Sequence, residues 1–206
     1  MSPMRNQPSN QRGITVLLLV MMFIFADMAL PQTLEGWTLL EDEQEPSRTV
    51  STHSVLADTY ITVADPTGTY NGSTTGSLND DLISESKLLF RFPMNFTSSD
   101  TIHSATLDLN CTTDAEIGST EMIAYAAEMK RTWNGSYASW MIYASSLSWD
   151  VAGADGDADR GIWEPPVRLS SNGTLSLNVT AIAQDAALSN QAHVSIIVTS
   201  LGAAYD

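Results

Sequence analysis

The chain has 206 residues, which is long enough for one well-cored domain. Its 24 acidic and 9 basic residues give a formal net charge of −15. An acidic excess of this size repels phosphate backbones and excludes a nucleic-acid-binding surface. Neutral sugars are not repelled and divalent cations are attracted, so polysaccharide and calcium both stay open as binding partners.

Residues 1–30 have the pattern of an export signal. Arg5 and Arg12 precede an uncharged apolar run of 13 residues, from Ile14 to Ala26. This run is shorter than the roughly 20 residues of a membrane-spanning helix. We therefore expect a signal peptide or signal anchor in residues 1–30, with the rest of the chain outside the cytoplasm, secreted or at the cell surface. Membrane anchoring through residues 14–30 is the alternative to cleavage.

The segment after the leader is acidic. Residues 35–45 contain five acids and no base, and Pro46 follows them. We predict an exposed acidic linker in residues 31–54 and a β-sandwich domain in residues 55–206.

From residue 55 onward, apolar and polar residues alternate in short runs that are separated by turn residues. Alternation at period two is typical of strands with one buried face, and many such runs favour an all-β sandwich or jelly roll. Only residues 180–190 suggest a helix. Cys111 lies on the apolar side of its run, which predicts an inert core thiol. The five clearest runs are residues 59–63, 88–92, 105–111, 175–179 and 194–198.

Six asparagines begin N-x-[ST] triplets, which favours an exported and glycosylated surface. Chance formation of the triplets in a Ser/Thr-rich chain is the alternative. The glycosylation candidates are Asn71, Asn95, Asn110, Asn134, Asn172 and Asn178.

Several segments follow one another in the order of a known family. They are ADTYI (57–61), TYNG (69–72), KLLFRF (87–92), IHSATL (102–107), the spaced Trp133, Trp140 and Trp149 before Gly153-Ala154, and NVT (178–180). Together they resemble the DNRLRE-type domain over about residues 55–200. This resemblance implies a jelly roll of the kind placed among carbohydrate-binding modules of secreted and surface proteins.

The chain departs from that family in three places. Asn134-Gly135-Ser136 stands where the family often has a glutamate, and no tryptophan follows the segment at residues 178–180. The sequence also stops at Asp206, before the strand that usually closes the sheet. We therefore expect a C-terminally truncated domain or a closing strand from elsewhere, and the family's ligand specificity does not carry over.

Asp155, Asp157 and Asp159 alternate along one predicted loop. Hard divalent cations need several oxygen ligands within a short reach, so these three aspartates are candidate calcium ligands. The run opens like an EF-hand loop but has Arg160 at its sixth position, which excludes that motif. A solvated acidic turn is the alternative.

Six large aromatic residues lie between residues 133 and 163. Flat rings stack on the apolar faces of sugars, and they also fill cores beneath long loops. Trp133, Trp140 and Trp149 match the framework of the resemblance and are predicted to be core residues. The predicted ligand-binding residues are Tyr137, Tyr143 and Trp163. We expect them to lie at the tips of the loops at one end of the sandwich.

The sequence offers little evidence of a catalytic site. His53, His103 and His193 have no metal-ligand spacing and are predicted to be exposed, and no nucleophile elbow occurs. We therefore predict a non-enzymatic, extracytoplasmic carbohydrate-binding module. The alternative is a structural or adhesive domain of a glycosylated surface filament, stalk or envelope protein.

Overall fold

The computed structural model describes residues 14–27, 48–73, 75–79, 83–113, 122–169 and 173–201. Most of these residues form antiparallel strands, in two five-stranded sheets and one short hairpin. Sheet A contains β1 (Ile14–Asp27), β2 (Arg48–His53), β4 (Thr75–Leu78), β6 (Thr101–Thr113) and β11 (Gly173–Asn178). Sheet B contains β3 (Ala57–Thr62), β5 (Ser86–Pro93), β7 (Met122–Glu128), β10 (Val167–Leu169) and β12 (His193–Leu201). The hairpin is β8 (Ile142–Ala144) with β9 (Leu147–Ser148), and the helix is α1 (Thr180–Leu188).

Consecutive strands alternate between the two sheets from β3 to β7. The order in sheet B is β10-β7-β12-β5-β3, so β3 is an edge strand and β5 lies between it and β12. The order in sheet A is β11-β6-β1-β2, and β4 also pairs with β1. The prediction of an all-β chain is confirmed, whereas jelly-roll connectivity stays a prediction.

The main core lies between the sheets. On β6, Ala105, Leu107, Leu109 and Cys111 are buried, and the residues between them are partly exposed. They pack with the inward face of β5, which includes Phe90. Each of the five predicted runs coincides with a strand, because the period-two pattern places one side chain in two on a buried face. In four strands that face is the inner one, whereas Ile61 of β3 faces the opposite side of sheet B. The core thiol of Cys111 is also confirmed.

Helix α1 closes one end of this core. Ile182 and Ala186 on α1 are buried in it. The hydroxyl of Thr180 accepts a hydrogen bond from the Ala105 amide at 2.9 Å, and the Gln184 side chain accepts one from the Ile102 amide at 2.7 Å. The predicted helical segment is therefore confirmed as a connector that is held against β6.

The other face of sheet B is covered by an outer layer, residues 129–166. A second core lies beneath this layer and contains Leu89 of β5 and Ile197 of β12. Trp133, Trp140 and Trp149 are buried in it, which confirms them as core residues. Sheet B is thus buried on both faces.

The apolar run that was predicted as a signal or anchor forms strand β1. It pairs with β6 on one side and with β2 and β4 on the other. An uncharged apolar run suits a central strand as well as a signal sequence, so export through residues 1–30 stays a prediction. Most of the predicted linker lies outside the described residues, and its last part contains β2. Across the described ranges, no helix is long and apolar enough to span a membrane.

We expect the Cys111 thiol to be unreactive in the folded protein. It is 1% exposed, and burial raises its pKa to about 11 because the thiolate is poorly solvated there. A chromogenic disulfide reagent at pH 8 should therefore label the chain only after denaturation. The Ser136→Cys variant, which has a thiol at an exposed position, should react at once through its new cysteine. Rapid labelling of the native wild-type chain would contradict the burial of Cys111.

Candidate functional site

Two cationic side chains on the outward face of β5 hold the outer layer. Lys87 is only 2% exposed. Its ammonium donates to the Gly153 carbonyl at 3.1 Å and to the Asp155 carboxylate at 2.7 Å, and it lies 3.2 Å from the Glu85 carboxylate. It also lies 5.2 Å from the centre of the Trp140 ring. A buried ammonium is stable only with such partners, so Lys87 fixes this part of the outer layer.

Arg91, which lies four residues after Lys87 on the same face of β5, fixes the other part of the outer layer. Its guanidinium donates to the Trp133 carbonyl and to the Ser195 hydroxyl, and it stacks 4.7 Å from the centre of the Trp133 ring. Burial lowers the pKa of Arg91, since the charged form loses solvent. Arg91 thereby fixes the start of the turn that contains Tyr137.

Asp159 organises the loop of the three aspartates. It is fully buried and accepts hydrogen bonds from the amides of Asp150, Val151 and Gly156 at 2.9, 3.0 and 3.3 Å. The Arg131 guanidinium donates to it at 3.3 Å. Its oxygens are therefore already occupied by the protein's own donors.

The other two aspartates have different surroundings. Asp155 binds Lys87, and its second oxygen lies 3.8 Å from the Arg160 guanidinium. Asp157 is exposed. Within the described residues, no group of three or more His, Cys, Asp or Glu side chains is placed to hold a metal ion. The predicted calcium site at Asp155, Asp157 and Asp159 has no support in this arrangement and stays a prediction.

We expect Asp159→Ala to lower the free energy of unfolding by about 3–5 kcal/mol, because it leaves buried amides and one guanidinium without their acceptor. The matched control is Asp157→Ala, which alters an exposed carboxylate in the same loop and should change stability by less than about 0.5 kcal/mol. Urea unfolding of both variants measures the difference.

The same variants test the calcium prediction. A calcium site would raise the wild-type melting temperature in calcium relative to chelator, and the rise would disappear in both variants. Equal wild-type melting temperatures in calcium and in chelator would contradict the calcium site. Asp159 would then act only as a hydrogen-bond acceptor inside the protein. Equal stability of the two variants would contradict the role of Asp159 described here.

Of the three predicted ligand-binding aromatics, Tyr137 is the most exposed. It lies in the turn at residues 134–137, and the residue is 46% exposed. The turn is held by its own hydrogen bonds, since the Tyr137 amide donates to the Asn134 carbonyl at 2.9 Å and the Asn134 amide donates to the Tyr143 carbonyl at 2.8 Å. Tyr137 is therefore a solvent-facing ring on an ordered turn.

Tyr143 and Trp163 are packed against the protein. Tyr143 lies 5.3 Å from the Trp149 ring, with Arg131 above it at 5.5 Å. Trp163 contacts the Tyr125 ring on β7 at 6.5 Å, and Arg160 stacks on it at 4.2 Å. Both rings are half-buried against the second core.

These aromatics do not form one platform. Trp163 packs against Tyr125 of β7, whereas the turn of Tyr137 touches Asn71 in the loop that follows β3. Three strand spacings of about 4.8 Å separate β7 from β3. No contact joins the two rings in the described part of the chain. A single sugar ring could not stack on both.

The surroundings of Tyr137 include a loop to which the sequence analysis assigned no binding role. A Cβ atom at Gly135 would lie 2.3 Å from the Asn71 side-chain oxygen, so the turn and the loop at residues 64–73 touch there. Within that loop Tyr70 stacks on Tyr60 at 4.0 Å and donates to Asp65 at 2.9 Å. We call residues 64–73 and 134–141 the edge turns, since they lie together beside edge strand β3.

The Tyr60–Tyr70 pair adds two aromatic rings close to the edge turns. Burial, together with the hydrogen bond to Asp65, raises the pKa of Tyr70 to about 12. Tyr70 therefore stays a neutral hydroxyl at physiological pH. In the sequence Tyr70 belongs to the TYNG segment, which contributed only to the family resemblance and was not interpreted as part of a binding site.

The glycosylation candidates differ in exposure. Asn71, Asn95, Asn134 and Asn178 are exposed, Asn110 is partly exposed on β6, and Asn172 lies outside the described residues. Asn71 and Asn134 both belong to the edge turns. Their modification would place glycans beside Tyr137.

The predicted exposure of the histidines is confirmed for His103 and His193 and is wrong for His53. His53 is buried on β2, edge-on to the Phe96 ring at 6.0 Å. Burial lowers its pKa, since the imidazolium is poorly solvated there.

No family model matches the chain, and no curated protein is significantly similar to it. The resemblance to the DNRLRE-type domain therefore rests on the quoted segments alone.

Proposed function

We propose that the chain is a non-catalytic, extracytoplasmic domain that binds a neutral saccharide at the edge turns. The observation that carries this proposal is the exposed Tyr137 ring on a turn that Arg91 holds from below. A rigid aromatic ring offers a stacking surface to a sugar with little loss of conformational entropy. The polar groups of Asn71, Asn134 and Ser136 lie in the same turns, where they can hydrogen-bond hydroxyls.

The charge of the chain fits a neutral ligand. With a formal net charge of −15, the protein repels anionic polysaccharides, whereas uncharged sugars approach it without penalty. The stacking of a sugar on Tyr137 requires no metal ion. Binding should therefore persist in the presence of a chelator.

We expect Tyr137→Ala to weaken binding to a retained polysaccharide by about 1–3 kcal/mol, a magnitude known for bases stacked on aromatic rings. Folding should be nearly unaffected, because the ring is exposed. Leu147→Ala, at another exposed position of the outer layer, is the matched control and should bind normally. Tyr143→Ala should mainly lower the melting temperature, since that ring is packed.

The measurement is a screen of the wild-type chain on a broad polysaccharide panel, followed by affinity and melting temperature for the three variants. Full retention of binding by Tyr137→Ala would contradict the assignment of that ring. A wild-type chain that retains nothing from the panel would contradict saccharide binding altogether.

The second candidate is a structural domain of a glycosylated surface assembly. It is favoured by the position of Asn71 and Asn134, because glycans on these residues would cover Tyr137. Mass spectrometry of the protein from its own cells separates the two functions. Full occupancy of Asn134 favours the structural domain, and an unmodified Asn134 favours saccharide binding.

A further inference from the structure

The side-chain nitrogen of Lys87, which becomes nucleophilic on losing a proton, lies in direct contact with a carboxylate. Its Nζ lies 2.7 Å from Asp155 Oδ2 and 3.2 Å from Glu85 Oε1. The Lys87 side chain is 2% exposed, whereas those of Glu85 and Asp155 are 30% and 38% exposed. The sequence contains one other lysine, Lys130, which is exposed and donates to the Asp157 carbonyl.

The surroundings hold this pair in one geometry. The Gly153 carbonyl accepts from Lys87 at 3.1 Å, and the Trp140 ring lies beside the ammonium. Gly153 has a φ of +81°, and a Cβ there would lie 2.6 Å from the Trp140 ring, so the loop can pass this close only with glycine. Groups fixed in contact react with effective concentrations of about 10⁵–10⁸ M in favourable cases.

We propose that Lys87 and Asp155 condense to an isopeptide bond, a covalent amide between β5 and the outer layer. The Lys87 ammonium first passes a proton through Glu85 to Asp155, which gives a neutral amine and a neutral carboxylic acid. The nitrogen then attacks Asp155 Cγ, and a C–N bond forms. Glu85 moves a second proton from this nitrogen to the departing hydroxyl, the C–O bond breaks, and one water molecule leaves. No oxidant or reductant takes part.

Glu85 and Arg160 have separate roles in this reaction. Glu85 touches the reacting nitrogen and moves its protons, which is general acid–base catalysis. The Arg160 guanidinium, 3.8 Å from Asp155 Oδ1, stabilises negative charge on that oxygen in the tetrahedral intermediate. The partial exposure of Asp155 gives the released water a route to solvent.

The cross-link would join residues 68 positions apart in the chain. It would tie sheet B to the outer layer even when the noncovalent contacts between them open, since the loop between the joined residues stays closed in the unfolded chain. Such a bond suits a domain exposed to proteases or to pulling forces at a surface. It does not depend on saccharide binding, and the two proposals have separate measurements.

The test is mass spectrometry of the full chain in denaturant, followed by tryptic mapping. The wild-type chain should be lighter than its sequence by one water molecule, and a branched peptide should join Lys87 to Asp155. Asp155→Ala and Lys87→Met should each lack the branched peptide. Lys130→Met is the matched control and should keep it. Asp155→Asn should form the same amide with loss of ammonia instead of water.

A competing reaction has the same mass change. Asp155 precedes Gly156, and an Asp-Gly pair can lose water to form a succinimide. A succinimide survives in Lys87→Met and gives no branched peptide, so the tryptic map distinguishes the two products. An unmodified wild-type chain, or a lighter chain without the branched peptide, overturns the proposal.

During refolding, the Glu85→Gln variant should form the cross-link at least about 100-fold more slowly than the wild-type chain, because it lacks the group that moves the protons. An unchanged rate would overturn the role of Glu85.

Discussion

The arrangement of the molecule depends on two charges on the outward face of a strand inside sheet B, of which one is buried and the other partly buried. Lys87 and Arg91 point away from the core between the sheets, yet neither reaches bulk solvent freely. Buried charges need hydrogen-bonding partners, and within the described part of sheet B Arg91 donates to the Ser195 hydroxyl alone. The other acceptors are Glu85, which directly precedes β5, and residues 133, 153 and 155 of the outer layer. These charges therefore determine where a long segment with little regular structure must lie.

The sequence predicted the inner half of the fold better than the outer half. Period-two runs identify strands with one buried face, and β6 follows that rule residue by residue. The same rule treats Lys87 and Arg91 as solvent-facing, which is wrong for Lys87. A signal was present in the unbroken apolar run Leu88-Leu89-Phe90, because such a run is typical of a strand that is covered on both faces.

The outer layer could not be predicted from the spacing of residues in the sequence. The path of its loops in the folded protein decides which of its side chains are buried, paired or exposed. Asp155, Asp157 and Asp159 are equivalent in the sequence, yet one binds a buried lysine, one is exposed and one accepts three backbone amides. The aromatics behave in the same way. Composition correctly suggested that some of the six rings fill a core, but the partners of Tyr143 and Trp163 depend on contacts across the layer.

The two cations also connect the turn of Tyr137 with the Lys87–Asp155 pair. Arg91 holds Trp133, which precedes the turn of Tyr137, and Lys87 holds the loop of Asp155. Between these points the Trp149 indole donates to the Ser139 carbonyl at 2.9 Å, so the two parts of the layer are joined beneath the surface. A covalent bond at Lys87 would therefore restrain the layer that supports Tyr137. Since a preformed site loses less entropy when a ligand binds, this restraint would favour binding at the edge turns without contacting the ligand.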